Sequence, residues 1–190
     1  MIKLLIMRKK SSYDFKADQS APDSFGNNWK NNSQEDMILM EDGHPVYQCK
    51  CQSVANYCFG DMATADSVAH GDTVAPGEFT LKLFVPPRSF HGEIHAITQT
   101  KDVDGQWINR EAMQTTAKGY QNGRWLVHDR WSQKIGGDTN QAWSAGCFIL
   151  ASKDLEQLNA AIRSLGLKAG DEIPGHVIEM GILTLERGRS

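Results

Sequence analysis

The chain of 190 residues lacks any apolar run of the ~20 residues that a membrane-crossing helix needs, so no such span is expected. It also lacks an excess of positive charge, with 20 Lys and Arg against 23 Asp and Glu and a formal charge of -3. A sequence-independent grip on nucleic acid rests on clustered cations, and the run Arg8-Lys9-Lys10 is too short to supply one. The start, "MIKLLIMRKK", does not follow the order of a secretory leader, because its charges come after a very short apolar run. It reads as a first strand with a basic turn, and synthesis in the cytoplasm is the expectation. Internal repeats and low-complexity tracts are missing too. With 40% hydrophobic and 23% charged residues, wholesale disorder is excluded and one domain over 1–190 is expected.

Paired CxxC spacing is likewise absent, and four cysteines in a chain of this size are not a disulfide framework. Cys49, Cys51 and Cys58 lie close together, but "VYQCKCQSV" alternates with a period of two. Tyr47, Cys49, Cys51 and Ser53 therefore share one face of a strand, and the reading is core-facing cysteines rather than a metal site.

What is present is mainly β signal. Residues 11–35 are dense in Ser, Asn, Asp, Gly and Gln and read as a long polar loop or insertion, although Tyr13, Phe15, Phe25 and Trp29 imply that it packs somewhere. "DMILMEDGHPVYQC" is a hairpin around Asp42-Gly43, a pair that readily takes the positive φ values of a tight turn. "GEFTLKLFV" places Phe79, Leu81, Leu83 and Val85 on one face before Pro86-Pro87 stops the strand. "HGEIHAITQ", "QWINREAM", "GRWLVHD" and "HVIEMGILTLE" are further strands. A single helix is predicted: Ser152 caps it, Asp154 lies in its first turn, Leu155, Leu158, Ile162 and Leu165 recur at helical spacing, and Gly166 ends it.

The chemistry-bearing stretch is "WSAGCFIL", residues 143–150, in which Cys147 follows a glycine and precedes an apolar run. A thiol transfers acyl groups as its thiolate, and an imidazole is the usual base. His128 closes the strand "RWLVH", and a polar, Gly-rich loop separates it from Cys147, so the end of one strand could be set beside the next. Ser144, Ala145 and Gly146 are small where a backbone must approach substrate. The N–H groups of Ala145, Gly146 and Cys147 are candidate oxyanion donors. The plainer reading is an inert core cysteine ahead of Phe148-Ile149-Leu150.

These segments resemble the L,D-transpeptidase catalytic domain. The family pattern has a strand-ending His, a variable loop and Ser-His-Gly-Cys, and "VHDRWSQKIGGDTNQAWSAGCFI" supplies His128, Ser144, Gly146 and Cys147 in that order. "GDTVAPGEFTLKL" resembles the family's Thr-Pro-x-Gly-x-Phe/Tyr segment through Pro76, Gly77 and Phe79, and the helix followed by "AGDEI" resembles its Gly-Asp-x-Ile strand. The pieces span residues 40–173. Ala145 stands where the family has a second histidine, Asp129 where it has a glycine and Ile149 where it has an arginine, which marks a divergent branch nearer phage or effector proteins.

The resemblance implies a mainly β sandwich or barrel with one helix after the nucleophile. It implies acyl transfer on peptidoglycan stem peptides through a Cys147 thioester, with His128 as base, Ser144 as a further catalytic residue and no cofactor. Trp143, Asp129, Arg130, His91 and His95 are then expected to border the peptide groove, and Arg124 or Arg130 to replace the missing arginine. Action at the cell wall would require dedicated export or release by lysis.

Two other readings compete. In "FHGEIHA", His91, Glu93 and His95 alternate on one strand face, a set that could serve a metal-dependent hydrolase. Trp107, Trp125, Trp131 and Trp143 bracket the site and could equally build the stacking surface of a non-catalytic wall-binding or particle component.

Overall fold

The computed structural model describes residues 1–14, 26–29, 31–59, 73–85, 93–103, 106–109, 125–129 and 144–181. In chain order it contains β1 (Ile2–Lys9), a 3-10 turn (Lys10–Tyr13), β2 (Gly26–Asn28), β3 (Glu35–Glu41), β4 (His44–Cys51), β5 (Tyr57–Phe59) and β6 (Gly77–Val85). There follow β7 (Ile94–Thr98), β8 (Thr100–Val103), β9 (Gln106–Asn109), β10 (Trp125–Asp129), β11 (Phe148–Leu150), α1 (Ser152–Ser164) and β12 (Glu172–Met180). The expected class, mainly β with one helix after the Cys147 segment, is what these residues form.

Eight strands make one sheet in the order β11-β10-β7-β6-β12-β1-β3-β4, while β2-β5 and β8-β9 form two small ribbons. The β1-β12 and β10-β11 pairs are parallel; the other neighbours are antiparallel. The outer strands approach each other, because Gln52, directly after β4, and Ile149 of β11 exchange both backbone N–H···O bonds at 2.9 Å. That single pair nearly closes the sheet into a barrel and occupies edge groups that would otherwise be open to a second chain.

The Asp42-Gly43 hairpin forms as its chemistry dictates, with φ of 48° and 84° at the two turn residues. Cys49 and Cys51 enter the core beside Leu4, Ile6, Met37, Leu39, Leu81 and Leu83. α1 buries Leu155, Leu158 and Ile162 against the same core, each contributing roughly 1.5–3 kcal/mol of apolar burial.

Several expectations need correction. Ala151, not Ser152, is the helix N-cap, and the Ser152 hydroxyl instead donates to Asp129 Oδ2 at 2.8 Å. Val85 does not share a face with Phe79, Leu81 and Leu83. Phe84 takes a φ of 46° at an irregularity in the β6-β7 pairing, the alternation slips, and Val85 joins Ile94, Ala96 and Leu126 in a separate apolar cluster.

Arg8 belongs to no exposed basic turn. It is fully buried in β1 and donates to Ser53 Oγ and C=O, the Val74 C=O and the Tyr13 hydroxyl. The far end of the polar stretch is likewise drawn inward. Trp29 is buried and donates its N–H to the Asn56 C=O, and buried Glu35 accepts from Ser33 Oγ at 2.6 Å and from the Ser53 N–H at 2.8 Å.

Candidate active site at the β10-β11 seam

Alternation along β10 and β11 divides their side chains between two faces. Trp125, Val127, Phe148 and Leu150 point into the main core, so Leu126, His128, Cys147 and Ile149 lie on the opposite face. The parallel register pairs Val127 with Phe148 and His128 with Ile149. Cys147 thus sits level with Leu126, one strand across and two residues back from His128. Standard strand spacing makes that a Cα separation of about 8 Å, which an imidazole and a thiol on one face can bridge. The start of β11 therefore meets the middle of β10, rather than strand end meeting strand end.

Cys147 is half-buried, forms no disulfide and packs against the cluster of Val85, Ile94, Ala96 and Leu126. Cys49 and Cys51 differ from it. Burial, reinforced by Asp154, pushes Cys49 up to about 12, and burial pushes Cys51 well up from its ordinary value. Neither is suited to act as a thiolate.

His128 is half-buried, and its Nδ1 contacts the Asp129 backbone oxygen. A carbonyl can only accept, so Nδ1 carries the proton and Nε2 is the basic nitrogen. Asp129 supplies this orienting carbonyl while its carboxylate receives the Ser152 hydroxyl. Asp129, expected to border the peptide groove, is half-buried and makes these two contacts at the end of β10.

Ser144 is buried, and its contacts are those of a brace. Its Oγ accepts the Gly146 N–H at 3.1 Å and donates to the Cys147 C=O at 2.9 Å, closing a tight turn around Gly146, whose φ of 109° few L-residues adopt. Of the three N–H groups expected to serve an oxyanion, that of Gly146 is thereby engaged within the turn. The brace is held from outside by Asn56, which sequence reasoning missed. Asn56 Oδ1 accepts the Ser144 N–H at 2.7 Å.

His95 is not a groove residue. It is fully buried, its Nδ1 accepts the Phe84 N–H at 3.1 Å and its Nε2 donates to Asn159 Oδ1 at 2.8 Å. Burial holds its pKa down at about 4, so the ring is neutral and both nitrogens are engaged. Phe84 explains the arrangement: the irregular β6 backbone would leave its N–H unpaired, and His95 takes it. Glu93 precedes β7, and its exposed carboxylate pairs with Arg163. Two members of the proposed His91-Glu93-His95 metal set are thus committed elsewhere, and no group of three metal-ligating side chains occurs among the described residues. Trp125 is a core residue, not a stacking surface. His91, Arg124, Arg130, Trp131 and Trp143 lie outside the described residues.

The fold and seam define a class: a nearly closed, mainly β protein with a thiol and an imidazole on one face of two adjacent parallel strands. The chain is 51% identical over 180 residues to an uncharacterized protein of Treponema pallidum (strain Nichols), covering 94% of this chain and 81% of that one, and it belongs to the same family. No family model matches it. Among solved structures it is similar to the helical cell shape determining protein Pgp2 from Campylobacter jejuni, with a TM-score of 0.43 and 12% identity. The match covers 95% of this chain, which spans about half, 49%, of that one.

Proposed function

We propose that the chain is a cysteine acyltransferase acting on the peptide stems of peptidoglycan, in the manner of the L,D-transpeptidases that its motifs resemble. The observation that carries this reading is the placement of Cys147 and His128 on one face of parallel neighbours, with His128 Nδ1 turned to the Asp129 carbonyl so that Nε2 is the base. Cys147 gives its proton to His128 Nε2, and the sulfur attacks the carbonyl of the stem's third residue. Backbone N–H groups of the turn around Ala145, Gly146 and Cys147 receive the oxyanion, each well-aimed donor being worth ~3 kcal/mol. The C–N bond breaks, His128 returns the proton to the departing amine of the terminal D-residue, and a thioester remains on Cys147.

An amine from a neighbouring stem then gives a cross-link, a free D-amino acid gives exchange, and water gives carboxypeptidase action. Ile149 stands where the related pattern has an arginine, so recognition of charge near the scissile bond falls to other groups. The working compartment in this reading is the cell wall.

The test is mass spectrometry of stem tetrapeptides incubated with the protein. Loss of the terminal residue, or its replacement, is expected with wild type, and a drop of ~1,000-fold or more with Cys147→Ala and with His128→Ala. Undiminished product from either variant would overturn the assignment.

A further inference from the structure

Among the described residues, the buried side-chain nitrogen and oxygen atoms with no hydrogen-bond partner are Ser12 Oγ and both amide atoms of Gln52. A hydroxyl is a small group on an outlying turn. Gln52 is different: it is fully buried, a donor and an acceptor are stranded together, and it sits at the candidate site.

Its position follows from the pairing. Gln52 and Ile149 exchange both backbone bonds, so their side chains lie on the same face, and Ile149 is in turn the register partner of His128. Cys51 points into the core, so Gln52 points away from it, toward the face that carries His128 and Cys147. Cys147 is the diagonal neighbour of Gln52, ~7–8 Å away between backbones and within reach of a long side chain. His128, Ile149 and Gln52 form one row across the seam, with the thiol a step to the side.

Buried amides are ordinarily paired, because desolvating a donor and an acceptor without replacing their bonds to water is unfavourable. The backbone beneath Gln52 is held rigidly. Next to it, the Ser53 N–H is bonded to Ser33 Oγ and Glu35 Oε2, the Val54 N–H to Ser33 Oγ, and the Ala55 N–H to Thr73 Oγ1. The unpaired amide is thus presented by a fixed support at the thiol.

We propose that Gln52 is a substrate-binding residue whose side-chain amide takes the main-chain N–H and C=O of one residue of an extended peptide lying across Cys147. A carboxylate or an ammonium would satisfy only one of its two atoms. In an extended chain the N–H and C=O of a single residue point the same way, as in a β-ladder, and satisfy Oε1 and Nε2 together. The substrate class is an extended peptide read through its backbone, which fits a stem whose side chains and chirality vary along its length. This inference rests on the acyl-transfer reading for the identity of the peptide.

The experiment compares Cys147→Ala with Cys147→Ala/Gln52→Met for binding of a stem tetrapeptide by calorimetry, and wild type with Gln52→Met for thermal unfolding and turnover. Gln52→Met is expected to weaken binding at least tenfold and to raise KM with a smaller change in kcat, while melting at or above the wild-type temperature. Peptide affinity within twofold of the parent, or turnover unchanged, overturns the role of Gln52 and leaves the acyl-transfer reading standing. Binding that depends on Gln52 without turnover by wild type supports Gln52 as a peptide contact and refutes the acyl transfer. Absence of both binding and turnover sinks both. If the Met variant fails to fold, Gln52→Asn, which withdraws the same amide by one methylene, is expected to weaken binding in the same direction, and an unchanged affinity overturns the proposal.

Discussion

Asn56 and Ser144, 88 positions apart in the chain, are bound in both directions: Asn56 Oδ1 accepts the Ser144 N–H, and the Ser144 C=O accepts the Asn56 N–H at 2.9 Å. The Tyr57 N–H joins the same carbonyl at 3.1 Å. The turn that presents Cys147 is thus anchored to the segment directly after β4, the one that also closes the sheet and carries Gln52.

Asn56→Ala leaves the Ser144 N–H buried without its acceptor and is expected to cost about 1–3 kcal/mol in urea unfolding. Turnover falls as well, because the turn holding the thiol loses its external anchor. An alanine variant with wild-type stability would show that the anchor is dispensable.

Alkylation of the native protein near pH 8 is expected to label Cys147 at least about tenfold faster than Cys49 or Cys51, since burial keeps the latter two as protonated thiols. Peptide mapping by mass spectrometry reads all three. Equal rates would place Cys147 among the inert core cysteines.

His95 makes stability depend on pH with a defined sign. Burial lowers its pKa from 6.5 to about 4, so between these values the unfolded chain binds a proton that the folded chain refuses. Its contribution is complete above about 6.5 and is lost as pH falls toward 4, for a change of up to ~3 kcal/mol. Asp36, which its hydrogen bond with Lys50 holds below the usual carboxylate range, adds a loss of the same sign at the acid end of this window. Charged groups near His95 are Glu93 and Arg163, and they pair with each other. His95→Gln should flatten the unfolding free energy between pH 4 and 6.5. A slope identical to wild type would mean that the ring protonates in place.

Gly175 of β12 lies directly beneath the Phe79 ring, and a Cβ there would come within 2.1 Å of Cε2 and Cζ. Phe79 stacks edge-on against Phe148, the residue after the thiol, with ring centroids 5.7 Å apart. Gly175→Ala forces the ring off that contact and is expected to cost ~1–3 kcal/mol, seen as a lower melting temperature. An unchanged melting temperature would show that the ring swings aside freely.

The legible parts of the chain were those in which local chemistry and long-range packing agree. Asp42-Gly43 needs only its own φ preferences to turn, and the Cys49/Cys51 alternation and the Leu155-Leu158-Ile162 spacing state directly which side is wetted. Arg8, Glu35 and Asn56 were misread or missed because a buried polar residue has no periodic signature. Its partners come from distant segments, as when Arg8 reaches Val74 and Ser53. Val85 falls on the other face because the left-handed Phe84 donates its N–H to His95, a bond that no β-propensity encodes.

The order of residues alone determined that this is a β-rich chain with one helix, and it singled out a cysteine behind a small-residue turn and a histidine at the end of an apolar strand, because period, turn chemistry and residue type are local properties. The tertiary structure decided which of these belong together. Strand register placed His128 and Cys147 on one face and buried His95 away from it, and the Gln52-Ile149 pair brought an unpaired amide to the thiol. Such outcomes depend on which strands neighbour which, and that is set by the packing of the whole sheet.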